Sequence, residues 1–341
     1  MDVITSCVKY EPINLPLPRQ NRSVKAAKLP VTNTKVNNKR TRDEEGIKPA
    51  DVDNAKSVRT EHSSSDVDVF TNLPECLKLH ILSFLDVKYA VRTSGLSRTW
   101  KSLWTSIPTV NLDCDGGFKR LNIFDKFVHK SLSLRDPVMK LDRLTFTRRG
   151  ISSAKILKEV FNYTLSHNVK ELELWIDTSR NGSWPDCLKN SSNSLTSLKL
   201  RSDVNVYCPL LEPQSGPFKN LAILHLEGTI ISDSQPFSRF PVLEKLTLID
   251  CPINETGDHN LNIHALKLLE LKVSSREWIN CLELITPNLK SFEFQARNFS
   301  ELKALHGLPV LQTVAIDYPN IGLHINKKKT FEYLLCLFSG V

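Results

Sequence analysis

The chain has 341 residues, 40% of them apolar and 24% charged, with a formal net charge of +8. That length can bury a large core and suggests two or three domains. The charge leaves a nucleic-acid partner open without arguing for one, because the basic residues are scattered and no block of five or more like charges occurs. No apolar stretch is long enough for a helical membrane span, and the opening "MDVITSCVKYEP" lacks the apolar core of a secretory signal.

The eight cysteines lie far apart, with no C-x-x-C pair and no Cys/His cluster at zinc spacing. They read as reduced thiols of a nuclear or cytoplasmic protein that needs no metal and no cofactor. Residues 1–66 read as a disordered tail, polar and without helical or strand period. Within it, Lys39, Arg40 and Arg42 precede three acids. Two readings stay open for them, a short nuclear-localisation signal and a solvated charge cluster.

Residues 67–106 change character. "NLPECLKLHILSFLDVKYAVRTSGLSRTWKSLW" predicts three short helices. Pro74 suits a first helical turn, and Leu73, Leu77, Ile81 and Leu85 recur at i+4. Asp86 caps a second helix with Val87, Tyr89, Ala90 and Val91, Gly95 ends it, and Ser97 caps a third with Trp100, Leu103 and Trp104. So many large apolar residues exceed what one small core can hold. The excess is expected to cover the next domain or a separate protein.

From residue 107 a repeat sets the architecture. "LDRLTF" (141), "VKELEL" (169), "LTSLKL" (195), "LAILHL" (221), "LEKLTL" (243), "LKLLEL" (266), "LKSFEF" (289) and "LQTVAI" (311) each carry apolar residues at positions 1, 4 and 6, and their starts lie 22 to 28 residues apart. This is the leucine-rich-repeat period, about eight copies over residues 107–341. Each unit is one strand and a return segment that cannot bury its own apolar face, so stacking must supply the core. The returns "FDKFVHKSL" and "AKILKEVFNYTL" have helical period and predict helices on the convex side. The fold class is therefore α/β: a three-helix unit and then a solenoid with a curved parallel sheet.

The helical segment with these repeats resembles the plant F-box/leucine-rich-repeat family, the FBD-type subfamily in particular. "LPECLKLHILSFL", "AVRTSGLSRTWKSLW" and the strand "VNLD" carry the resemblance, which covers about residues 67–325. It implies that residues 67–106 are an F-box that binds a Skp-type adaptor, and through it a cullin. The repeats then hold a target protein for ubiquitination, and the chain is a non-catalytic receptor subunit. The implied adaptor surface is Leu73, Pro74, Leu77, Ile81, Leu82, Leu85, Val91, Leu96 and Trp100, with Leu103 and Trp104 turned toward the first repeat. His80 reads as a packing residue. No FBD domain is evident after the repeats. "KKKTFEYLLCLFSGV" reads as the return of an incomplete last repeat, from a shortened gene model or splice form or with its end covered by a partner.

The residue between positions 4 and 6 of each repeat is expected on the concave face. Those residues are Glu173, Lys199, His225, Thr247, Glu270, Glu293 and Ala315, and all but the last are taken as candidate target contacts. Their mixed signs, without a basic stripe or stacked aromatics, argue against a nucleic-acid groove. Trp175 and Trp184 read as core or rim rather than as a binding site. No sequence motif of a hydrolase, metalloprotease or nucleotide-binding enzyme occurs. Two alternatives remain: a repeat scaffold that never joins a ligase and, less favoured, a nuclear nucleic-acid binder.

Overall fold

The computed structural model describes residues 69–151, 154–177, 183–190, 193–216, 218–253, 259–305 and 307–317. The tail, with Lys39, Arg40 and Arg42, and the apolar run at 327–341 lie outside the described residues.

The chain enters through α1 (Val69–Asn72), α2 (Glu75–Ser83) and α3 (Val87–Arg92). Asp86 caps α3, its Oδ1 accepting from the Lys88 N–H at 2.6 Å. The helix expected after Ser97 is absent. Residues 97–102 form successive turns, followed by a 3-10 turn at Leu103–Ser106. The run is rich in Ser, Thr and Trp, which are poor helix formers. Their hydroxyls also take up local bonds: Thr105 Oγ1 donates to the Ser102 carbonyl at 2.7 Å, and the Ser97 and Thr99 hydroxyls bond each other at 2.8 Å.

Ten strands follow among the described residues, all paired in parallel: β1 (Thr109–Asp113), β2 (Arg143–Ile151), β3 (Glu171–Asp177), β4 (Ser197–Tyr207), β5 (Ile223–Ile230), β6 (Lys245–Ile249), β7 (Asn260–His264), β8 (Glu270–Ile285), β9 (Ser291–Ala304) and β10 (Thr313–Asp317). One carbonyl per repeat accepts two N–H groups from the next. The Lys170 carbonyl takes those of Thr196 and Ser197, the Ala222 carbonyl those of Glu244 and Lys245, and the Lys290 carbonyl those of Gln312 and Thr313. This recurring bond holds the register, so equivalent side chains stack. Leu112, Phe146, Leu174, Leu200, Leu226, Leu248, Val273 and Phe294 form one buried inner column. Each such burial stabilises by roughly 1.5–3 kcal/mol.

The register corrects one repeat. β6 pairs with β8 as Lys245 with Glu270, Leu246 with Leu271 and Thr247 with Lys272. The unit thus begins at Leu268, which is fully buried, and not at Leu266, which is 56% exposed. "LKLLELKV" satisfies the apolar template in either frame, and only the stacking decides between them.

Two returns are helical as expected. Helix α4 (Leu121–Ser133) lies over the sheet with Phe124 stacked on Phe146, ring centroids 5.8 Å apart. Helix α5 (Ala154–Ser166) buries Ile156, Leu157, Val160 and Phe161. Later returns differ. β8 and β9 carry on past a register shift at Ser275, and their second halves form another parallel ladder with β7. Period favours this: "LNIHA" alternates apolar and polar and "LEL" at 282–284 does the same within β8, whereas α5 follows the helical spacing. At the corner of β5, Gly228 has φ +64, and a Cβ there would lie 2.2 Å from the Ser202 carbonyl oxygen.

Candidate partner-binding surfaces

Helix α2 has apolar residues on both sides. Its inner side buries Lys78 and Leu82, four apart. Lys78 Nζ donates to Thr99 Oγ1 at 3.3 Å and lies over the Trp100 ring. The outer side carries Leu77, Ile81 and Phe84 at i, i+4 and i+7, exposed by 47%, 39% and 75%. The His80 ring sits edge-on to Phe84 at 4.8 Å, exposed but apposed to an aromatic neighbour. Phe70, Tyr89 and Leu96 are also exposed large apolar side chains of this unit.

This placement sorts the residues expected to face an adaptor. Leu77, Ile81, Leu96 and Pro74 are exposed, and Leu73, Leu85 and Val91 are half-buried. Leu82 and Trp100 are inside, at 0% and 2% exposure, and their side chains are core rather than surface. Leu82 follows Ile81 by about 100° around the helix, which turns it inward. The Trp100 indole N–H donates to the Phe70 carbonyl at 3.3 Å. Phe70, Phe84 and Tyr89 were missed as surface residues, although Phe84 continues the i, i+4, i+7 series.

The F-box-like unit is fastened to the first repeat. Asp86 Oδ2 accepts from the Asp113 N–H at 3.3 Å, Thr109 Oγ1 donates to the Ser83 carbonyl at 3.0 Å, and Lys88 Nζ donates to the Gly116 carbonyl. Burial is the main influence on Asp86 and raises its pKa. Trp104 faces the repeat, sharing a small void with Val87, Val110, Leu132 and Arg135.

On the sheet face away from α4 and α5, the corrected column reads Thr145, Glu173, Lys199, His225, Thr247, Lys272, Glu293 and Ala315. Lys272 replaces Glu270, which lies two residues earlier and pairs with Lys245. Most charges here are met across strands: Lys199 with Glu173 at 3.5 Å, Lys272 with Glu293 at 2.5 Å, and Arg201 with Glu227 at 2.8 Å. His225, its Nε2 3.7 Å from the Glu227 carboxylate, and Arg201 together lower the Glu227 pKa against the effect of burial. Trp175 is half-buried beside Arg149 and Arg201, its indole N–H donating to Asp203, whereas Trp184 is core.

Asp113, Cys114 and Asp115 are the group of three potential metal ligands among the described residues. They are engaged in local bonds: Asp113 Oδ1 accepts from the Asp115 N–H, Asp115 pairs with Arg149, and Cys114 Sγ accepts from the Arg149 N–H. Burial pushes the Cys208 and Cys251 thiols up to about 12, which makes both unreactive.

An F-box domain model matches residues 70–110, the three helices, the turn segment and the start of β1. The repeats extend the likeness. The chain is 31% identical to an FBD-associated F-box protein of Arabidopsis thaliana over 60% of its own length and 48% of the relative. An F-box/LRR-repeat protein of the same plant is 29% identical, over 75% of this chain and 54% of that one. The chain is similar to plant F-box/leucine-rich-repeat proteins, and an F-box domain matches its opening helices. A further relative, a putative F-box/LRR-repeat protein, is 27% identical over 80% of this chain and 68% of its own. The chain spans about half the length of the first curated relatives it matches. No solved structure matches it. The molecule pairs an exposed apolar helix face with a long, largely charge-balanced strand face.

Proposed function

We propose that the chain is the target-recognition subunit of a Skp adaptor–cullin–F-box ubiquitin ligase. The observation that carries this reading is the outer side of α2. Leu77, Ile81 and Phe84 form an exposed apolar row on a unit that an F-box model matches. An apolar row of this kind, with an aromatic residue in it, suits the buried centre of a protein interface. The adaptor contact is assigned to Leu77, Ile81, Phe84, Tyr89 and Leu96, with Pro74 at its edge. The target contact is assigned to the column from Glu173 through Lys199, His225, Thr247 and Lys272 to Glu293.

In this reading the chain makes and breaks no bonds. It holds a target near the ubiquitin-charged enzyme and raises its effective concentration there. The fastening through Asp86, Lys88 and Thr109 supports that role, because a fixed angle between the two surfaces limits where a bound target can reach. The test is reconstitution with a Skp-type adaptor, a cullin–RING core and a ubiquitin-charged conjugating enzyme. Adaptor-dependent ubiquitin transfer to the chain itself or to captured proteins supports the proposal. Failure of the full chain to join the adaptor and cullin overturns it.

A further inference from the structure

A groove of about 780 Å³ runs between α4 and α5. These helices cover the inward side of the sheet, so the groove lies on the opposite face from the charge-balanced column. Its apolar lining comes from Leu132, Pro137 and the Tyr163 ring. Its walls are basic. Lys155 and Lys158 stand exposed on α5, and neither pairs with a carboxylate among the described residues. The lining contains a single acid, Glu159, already bonded to His129 at 2.6 Å.

Arg135 closes one end. It is 7% exposed, and its Nη2 donates to the Ile107 carbonyl at 2.7 Å. Its Nε and Nη1 are buried without a well-formed hydrogen bond, and no carboxylate lies within ion-pair distance among the described residues. Burial lowers the Arg135 pKa, and the Tyr163 hydroxyl opposes that shift. A buried cation without a countercharge is costly, and an anion in the adjoining groove reduces that cost. The strand face presents a smaller surplus among the described residues, because most of its cations are paired across strands.

We propose that the α4–α5 groove is a second protein-docking site, which takes an acidic peptide segment with an apolar side chain at its centre. Charge complementarity selects the acidic flanks, and the apolar lining of Leu132, Pro137 and Tyr163 selects the apolar residue. A site here is independent of the F-box face, so the chain could hold two proteins besides its adaptor.

The test uses the full chain and a fluorescein-labelled peptide with Asp and Glu residues around a central Leu-Phe pair, followed by fluorescence anisotropy. Binding is expected, weakening as salt rises. Lys155→Glu with Lys158→Glu should lower affinity by at least about tenfold with melting temperature unchanged, and Lys155→Arg with Lys158→Arg should hold it within about twofold. Saturating Skp-type adaptor should leave the affinity as it was. Absence of binding to the wild-type chain would overturn the proposal. So would equal binding by the Glu variant, equal binding of a Lys-flanked peptide, or inorganic tripolyphosphate that competes as tightly as the peptide, which would mark a small-anion site.

Discussion

Leu266 and Leu268 lie two residues apart in one repeat, yet the stacking register gives them opposite fates. Leu268 is fully buried beneath β8, and Leu266 is 56% exposed. Leu268→Ala removes a core side chain and leaves a cavity, a loss of about 2–5 kcal/mol. Leu266→Ala removes mostly hydrated surface and should stay within about 0.5 kcal/mol. For a unit of this size roughly 2–4 °C accompanies each kcal/mol, so Leu268→Ala should lower the melting temperature by about 5–15 °C and Leu266→Ala by at most about 2 °C. Thermal unfolding by circular dichroism on both variants decides it. Equal losses, or a larger one for Leu266→Ala, would refute the register. Lys272 would then leave the exposed column and Glu270 would return to it.

Two other consequences follow from local contacts. Glu227 has a pKa below its ordinary 4.5, chiefly through His225. Its contribution to stability is therefore full above pH 4.5 and is lost as pH falls through the lowered value. Glu227→Gln should show a smaller drop in melting temperature than the wild type over that acid range, and a parallel drop in both would remove Glu227 from the account. Gly228→Ala places a Cβ against the Ser202 carbonyl oxygen at a left-handed φ. It should destabilise by more than about 1 kcal/mol in urea unfolding, and a neutral result would contradict that corner of β5.

Much of this molecule was legible in the sequence because a solenoid repeats its instruction. The L-x-x-L-x-L strands, the two helical returns and the helices up to Arg92 follow from period alone, whereas the helix expected after Ser97 gives way to turns. Three things were not. The frame of "LKLLELKV" is ambiguous because leucines occupy both candidate frames, and only pairing with β6 resolves it. The strand returns of β8 and β9 were hidden because short alternating runs carry little signal beside a strong neighbouring repeat. On α2, apolar residues encircle the helix, so sequence could not separate Leu82, which is core, from Ile81, which is exposed. Trp100 likewise looks like a surface anchor until its indole N–H is seen to bond the Phe70 carbonyl inside the unit.

The central claim is that the outer side of α2 is the adaptor-binding face. It is tested most directly by the affinity of the full chain for a purified Skp-type adaptor, measured by calorimetry on the wild type and on Leu77→Ala with Phe84→Ala. The two side chains are 47% and 75% exposed, so their removal should leave the melting temperature nearly unchanged. Covering them in a complex is worth about 2–4 kcal/mol together, so the variant should bind at least about 30-fold more weakly. A wild-type chain that binds the adaptor with an affinity the variant fully retains would contradict the assignment.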